Sequence, residues 1–537
     1  MHRVKLRPIK GGGEVPLCSL AFLFLGLFSS GCGGGNHSPV SSPVASAEPP
    51  PFNTGAGEGS LVGTPTVLTY ATATTSTQAG LDSFYSQTIC PSELTPQNCA
   101  TNQASLDTAD FGNFNLAANP IGDNSLGIKQ VDAVKIDYTA INIDQSAVTV
   151  SGGIAIPHVA SAQLKGLILY FHGTTTQRTN VPSNFAAIGP DSTYTDGTLL
   201  AAVWASQGYV VVMPDYIGLG DDTGHTHPYV VYPGQNAQSG LAMVKAARAL
   251  LTESYQVNGL LPLYITGYSE GGAYALEAGH LMQNNAGYAS QLNVQLKKVA
   301  PLSGFFDLSG TGLAYLFYNI SDSDNPWHSL DPDTTSEASK PFLTAYLILS
   351  FAQYSGISPT SMLANAFYAT NDYCLDTLSA NLTDIYFTDT QFPDYDAAVL
   401  GAAGCQAVET GWGAQPTNYS NAITPLLTPA YAVALMQKDT RNILYQQVVS
   451  ADTYQFVPKF PVILVSLDQD SVVTRVNSDV AFAYFELQNA GGPYQEKLVS
   501  NSNFFILDIY GYGAEVDHTT ELPFLSVLLL NQFNSTQ

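Results

Sequence analysis

Ser269 stands in Gly267-Tyr268-Ser269-Glu270-Gly271-Gly272, after the strand-like Leu263-Tyr264-Ile265-Thr266 and before the helix-like Ala273-Tyr274-Ala275-Leu276. A serine on a sharp strand-to-helix turn presents its hydroxyl as a nucleophile, and small neighbours are needed there because the backbone is strained and closely packed. Such a hydroxyl needs a base, and an imidazole base needs a carboxylate to orient it. Three histidines follow Ser269: His280 on the next helix, His328 in a polar stretch, and His518. His518 comes a short loop after the strand-like Phe504 to Tyr510 and before an apolar terminal helix, which is where a base would be displayed. Leu467-Asp468-Gln469-Asp470, after the strand-like Val462 to Leu467, supplies two carboxylates, and the spacing alone leaves both in play. Negative charge growing on a carbonyl oxygen would need two preorganised N–H donors. The residue after the serine, Glu270, gives one, and Thr174 in His172-Gly173-Thr174-Thr175 gives the other, with His172 read as a core histidine. These residue types fit nucleophilic acyl transfer.

A second cluster, Asp221, Asp222, His225 and His227, has the N and O donors of a metal site. Neither a His-Glu-x-x-His pair nor a phosphate-binding glycine loop occurs in the chain. No metal and no cofactor is expected.

The elements needed to position these residues are visible as apolar runs at Leu167–Phe171, Tyr209–Met213, Leu263–Thr266, Val299–Leu302 and Val462–Leu467, separated by helical patterns such as Ala237 to Leu251. Alternating strands and helices predict an α/β fold with a mostly parallel sheet flanked by helices, opened by antiparallel strands within Val131 to Pro157. The alternation stops over 308–457, where helices are expected at Pro341 to Tyr354, Ser361 to Thr370 and Tyr431 to Val449. That stretch is read as a large, mainly helical cap insertion between two parts of one core, 61–307 and 458–537.

His172-Gly173-Thr174, Pro214-Asp215-Tyr216-Ile217-Gly218-Leu219-Gly220, His227-Pro228-Tyr229, the Ser269 motif, Asp470 and His518 in this order resemble the secretory lipase family of α/β-hydrolases. The resemblance spans roughly Val131 to Phe533. It implies a lipase or esterase with a helical cap and no cofactor, with Ser269, Asp470 and His518 as the catalytic residues. Asp470 is preferred to Asp468 because the family pattern places the acid directly before a small residue and two valines. His227-Pro228-Tyr229 becomes a structural loop, and Ser466-Leu467 departs from the family's usual His-Gly. A hydrophobic ester or lipid is the implied substrate. A serine peptidase, an amide hydrolase and a non-catalytic binding protein are the other readings the same scaffold allows.

The 537 residues carry 43 acidic against 18 basic side chains, a formal charge of -25 that repels nucleic acid and anionic membranes. Arg3, Lys5, Arg7 and Lys10 precede the apolar run Val15 to Phe28, the layout of an export signal. Ser29-Ser30-Gly31-Cys32 then resembles a lipoprotein processing site, so residues 1–32 are read as a signal, with Cys32 lipidated and the protein held in the bacterial envelope or secreted. Residues 33–60, rich in Gly, Ser and Pro, are expected to be a flexible linker. In an oxidising compartment the remaining Cys90, Cys99, Cys374 and Cys405 form disulfides, with sequence proximity favouring Cys90–Cys99 and Cys374–Cys405.

Overall fold

The computed structural model describes residues 52–69, 96–98, 100–101, 131–175, 178–185, 196–317, 335–358, 361–362, 427–470, 472–500, 505–507, 513–518 and 521–534. The expected signal, Cys32, all four candidate disulfide cysteines and much of 308–457 lie outside the described residues.

Nine strands form one sheet: β1 Leu61–Thr69, β2 Val131–Ile141, β3 Ala147–Pro157, β4 Gly166–Phe171, β5 Tyr209–Pro214, β6 Leu261–Tyr268, β7 Val294–Leu302, β8 Val462–Leu467 and β9 Tyr494–Val499. Their order is β1-β2-β3-β5-β4-β6-β7-β8-β9. Pairings from β1 to β5 are antiparallel, and β5-β4-β6-β7-β8-β9 run parallel.

The apolar runs form strands because both faces of the sheet are covered. In β4, Leu167, Leu169 and Phe171 enter one core cluster while Ile168 and Tyr170 enter the other, and all five are fully buried. The first cluster lies under α2 (Pro233–Tyr255) and α3 (Glu270–Asn284). The second lies under α1 (Asp196–Val203) and the C-terminal helix α4 (Leu522–Asn534), which the buried Trp204 joins by donating its indole N–H to the Ser526 carbonyl at 2.8 Å.

Three elements depart from the sequence reading. Residues 52–60, expected to belong to the linker, pack on the core. Phe52 meets the Tyr288 ring edge-on at 4.7 Å, and the Glu58 side chain is buried, accepting from Asn53 N–H at 2.7 Å and Gln238 Nε2 at 2.9 Å. The ring, the satisfied carboxylate, Lys245 at 5.2 Å from the Phe52 ring centre and the Gly59 N–H donating to the Thr139 carbonyl at 2.8 Å together order a segment whose composition is otherwise that of a tether. Secondly, β9 carries no apolar strand pattern, because its interior, Gln495-Glu496-Lys497, is polar, as the edge strand of a sheet can be. Phe505–Leu507 pairs instead with Gly513–Glu515 in a separate two-stranded sheet. Thirdly, the helix expected over Tyr431 to Val449 is two helices, Pro429–Met436 and Ile443–Ser450. Lys438 takes a left-handed φ of 53°, and the Asn442 side chain accepts from Leu444 and Tyr445 N–H at 3.0 and 3.1 Å, starting the second helix afresh.

Candidate active site

β6 delivers Ser269 into a φ of 56° and ψ of -121°, a region that L-residues rarely occupy. Its glycines are dictated by packing: a Cβ on Gly267 would stand 2.1 Å from the Gly271 carbonyl oxygen, and one on Gly271 2.1 Å from that of Phe171. The turn is braced by Ser269 N–H donating to the Leu302 carbonyl at 2.9 Å.

The strained turn aims the hydroxyl at His518. Ser269 Oγ lies 2.8 Å from His518 Nε2, and His518 Nδ1 lies 2.8 Å from Asp470 Oδ2. The other oxygen of Asp470 accepts from Val472 and Val473 N–H at 2.9 and 2.7 Å, so the two valine amides cradle the carboxylate. Asp468, in contrast, is half-buried at the end of β8, where its N–H donates to the Val499 carbonyl at 2.9 Å. All three members of the Ser269–His518–Asp470 chain are buried, 5%, 4% and 1% exposed, which strengthens their hydrogen bonds by excluding water. Tyr268 packs its ring beside His518 and donates its hydroxyl to the His518 carbonyl. Its phenol is pushed well above the usual range, chiefly by burial, with Asp470 adding to the shift, so it remains a donor.

Glu270 N–H opens α3 directly after Ser269. The loop carrying Thr174 runs alongside, since a Cβ on Gly173 would lie 3.6 Å from the Ser269 Cβ. Thr174 and Thr175, with Asn180, Asp196 and Tyr268, border a cavity of about 100 Å³ beside that loop. The loop is locked from below. Tyr216, at a left-handed φ of 76°, stacks between His172 at 4.0 Å and His227 at 5.1 Å, and donates its hydroxyl to the His172 carbonyl at 2.8 Å. His172 is thus a core histidine, as expected.

The Asp221–His227 cluster does not converge. Asp221 pairs with Lys135 at 2.7 Å, and Asp222 accepts from Gly218 N–H at 2.9 Å and faces His225 Nδ1 at 2.7 Å. His227 turns to Glu270, with Nε2 at 2.5 Å from Oε1, and that same oxygen accepts from Tyr274 at 2.7 Å. The loop His227-Pro228-Tyr229 therefore anchors the side chain of the residue that follows Ser269.

A helix of the 308–457 stretch, Thr335–Ser355, takes part in the same lock, which the sequence did not reveal. Ser350 Oγ accepts from Tyr229 N–H at 2.9 Å and donates to the His227 carbonyl at 3.0 Å. Tyr346 stacks on Tyr229 at 4.0 Å and donates to the Thr175 carbonyl at 3.1 Å. A buried serine in an apolar helix is the only hint the sequence offers, and it is a weak one.

The strained serine turn, the sheet order and the chain order serine, aspartate, histidine define the α/β-hydrolase fold. The chain is similar to solved structures of that fold. One is the rice cell wall degrading esterase LipA from Xanthomonas oryzae, at 17% identity and a TM-score of 0.59, covering 88% of this chain and 98% of the esterase. Another is a Legionella pneumophila protein assigned as a hydrolase, at 22% identity and a TM-score of 0.54, covering 80% of this chain and 96% of the other. No protein-family model matches the chain, and no curated protein sequence matches it.

Proposed function

We propose that this chain is an exported serine hydrolase that cleaves carboxylic esters through an acyl-enzyme. The observation carrying the proposal is the buried run of two 2.8 Å hydrogen bonds from Ser269 through His518 to Asp470, set on a strained turn. In the reaction, Ser269 Oγ attacks the ester carbonyl while His518 Nε2 takes its proton, and Asp470 holds the imidazole with Nδ1 protonated. The Glu270 and Thr174 N–H groups stabilise the oxyanion. His518 then returns the proton to the leaving alcohol, and water repeats the attack on the acyl-Ser269 ester with His518 again as base.

An ester, rather than another acyl compound, is favoured by the similarity of fold to an esterase. The 308–457 stretch serves as a cap whose apolar helices line the acyl group, which suits a hydrophobic ester or lipid. Export through a signal over 1–32, a lipid anchor on Cys32 and the two disulfides belong to the same proposal. Hydrolysis of nitrophenyl esters and covalent labelling by a fluorophosphonate test it. Ser269→Ala should retain the fold, lose the label and lower kcat on the order of 10⁶-fold. Ester turnover undiminished in that variant, or peptide turnover exceeding ester turnover in the unaltered protein, would refute it.

A further inference from the structure

A second carboxyl group lies against the imidazole, and the Ser269–His518–Asp470 chain makes no use of it. Glu521 immediately precedes α4 and is 0% exposed, with Oε1 3.6 Å from His518 Nδ1. One ligand atom each from Asp470, His518 and Glu521 lie within 4.8 Å of one another. The position is one from which a side chain would ordinarily cap the helix N-terminus. Here only the Glu521 carbonyl serves the helix, accepting from Phe524 and Leu525 N–H, while the carboxyl turns toward the imidazole.

The donors in this corner are shared unequally. Asp470 receives two backbone N–H groups and the imidazole, whereas neither Glu521 oxygen, nor the nearby Ser303 Oγ, has a hydrogen-bond partner of normal geometry. Two like charges in so dry a site repel strongly, and the group without donors is the one that keeps its proton. The groups facing Glu521 are Asp470 from the loop after β8, Asp517 and His518 from the segment after Gly513–Glu515, Tyr268 from the serine turn and Ser303 after β7. Burial, and after it Asp470, holds the Glu521 carboxyl well above the usual carboxylate range; Ser303 works against the shift and Asp517 adds to it.

We propose that Glu521 is a positioning residue of this site, an uncharged carboxylic acid that fills the space behind His518 and leaves Asp470 as the anion facing the imidazole. The proposal rests on the hydrolase reading for its kinetic consequences. A second anion at that distance would make the imidazole more basic and hold it protonated at neutral pH, where it must accept the Ser269 proton. A neutral acid supplies the same packing without that penalty.

The test compares full-length protein with Glu521→Gln and Glu521→Ala, following kcat, KM and the pH dependence of kcat/KM on a nitrophenyl ester. The glutamine resembles the neutral acid, so activity at neutral pH should stay within about 3-fold and the acid limb should move by less than about 0.3 pH unit. The alanine leaves a cavity behind the imidazole, and kcat should fall about tenfold with KM little changed. An acid limb lowered by a unit or more in Glu521→Gln would show that an anion had been removed, and overturns the proposal. So does an alanine variant as active as the unaltered protein. Should the alanine variant fail to fold, the His518 imidazole titration followed by NMR in the unaltered protein and in Glu521→Gln decides the matter: an unmoved midpoint supports a neutral Glu521 and a midpoint lowered by a unit overturns it. That measurement needs no turnover, so a protein that hydrolyses no ester would sink the hydrolase reading without touching the charge state of Glu521.

Discussion

Asp468 and Asp470 are two residues apart, and only one of them bonds the imidazole. The difference lies in backbone geometry: the turn after β8 points the Val472 and Val473 N–H groups at Asp470, concentrating donors on one carboxyl. Asp470→Asn should therefore leave the fold intact and lower kcat about 10⁴-fold, because an amide no longer enforces the tautomer with Nδ1 protonated. Asp468→Asn should change kcat by less than about 3-fold. Steady-state kinetics on the two variants, with circular dichroism to confirm folding, check the assignment, and a reversal of their order would move the acid to Asp468. The glycines flanking Ser269 belong to the same scale: each is required by a carbonyl oxygen that a methyl group would strike.

At the scale of elements, the chemistry depends on contacts between segments far apart in sequence. Ser350, on the helix Thr335–Ser355, satisfies one buried N–H and one buried carbonyl of the loop His227-Pro228-Tyr229, and that loop holds the Glu270 carboxyl. Ser350→Ala removes both bonds while the Tyr229 N–H still donates to the His227 carbonyl at 2.8 Å, so the cost is that of ordinary hydrogen bonds, about 0.5–1.5 kcal/mol each. Denaturant unfolding should show the loss of stability, and kcat should fall with it as the loop that orients Glu270 slackens. A fully stable Ser350→Ala variant would mean that this helix is not part of the lock. Trp204 is the corresponding tie on the other face of the sheet, and Trp204→Ala should cost about 3–5 kcal/mol, measured by the same unfolding experiment.

For the molecule as a whole, the two ends of the 308–457 stretch are tied to each other. Asp452 accepts from Ser309 N–H at 2.8 Å and Ser309 Oγ at 2.6 Å, and Thr453 N–H donates to the Phe306 carbonyl at 2.9 Å, so the chain leaves and re-enters the core at one place. Burial pushes the Asp452 carboxyl up to about 6, against the pull of the Ser309 bonds and with the help of Asp307. Between the ordinary carboxylate value near 4 and about 6, the folded protein binds more protons here than the unfolded chain does. The contribution of Asp452 to stability is then greatest in acid and falls as pH rises through that window. In thermal melts, the Tm difference between the unaltered protein and Asp452→Asn should shift against the unaltered protein from pH 4 to pH 7, and level off above. A difference independent of pH would show that the carboxyl is not perturbed.

What the sequence determined by itself was whatever is encoded over a few neighbouring residues. Apolar runs of strand length gave the parallel sheet, since a strand buried on both faces has no place for polar residues. The serine turn was legible because its backbone tolerates only glycine at fixed offsets, and the position of His518 followed from the order in which such sheets display their residues. Tertiary structure alone decided what depends on distant partners: that Phe52 and Glu58 are part of the core, that Ser350 braces the loop beside Thr174, and that Glu521 turns from its helix toward His518. The physical reason is the same in each case. Propensity and strain are set by adjacent residues, whereas burial, charge state and hydrogen-bond satisfaction are set by whichever groups the packed chain brings together from hundreds of residues away.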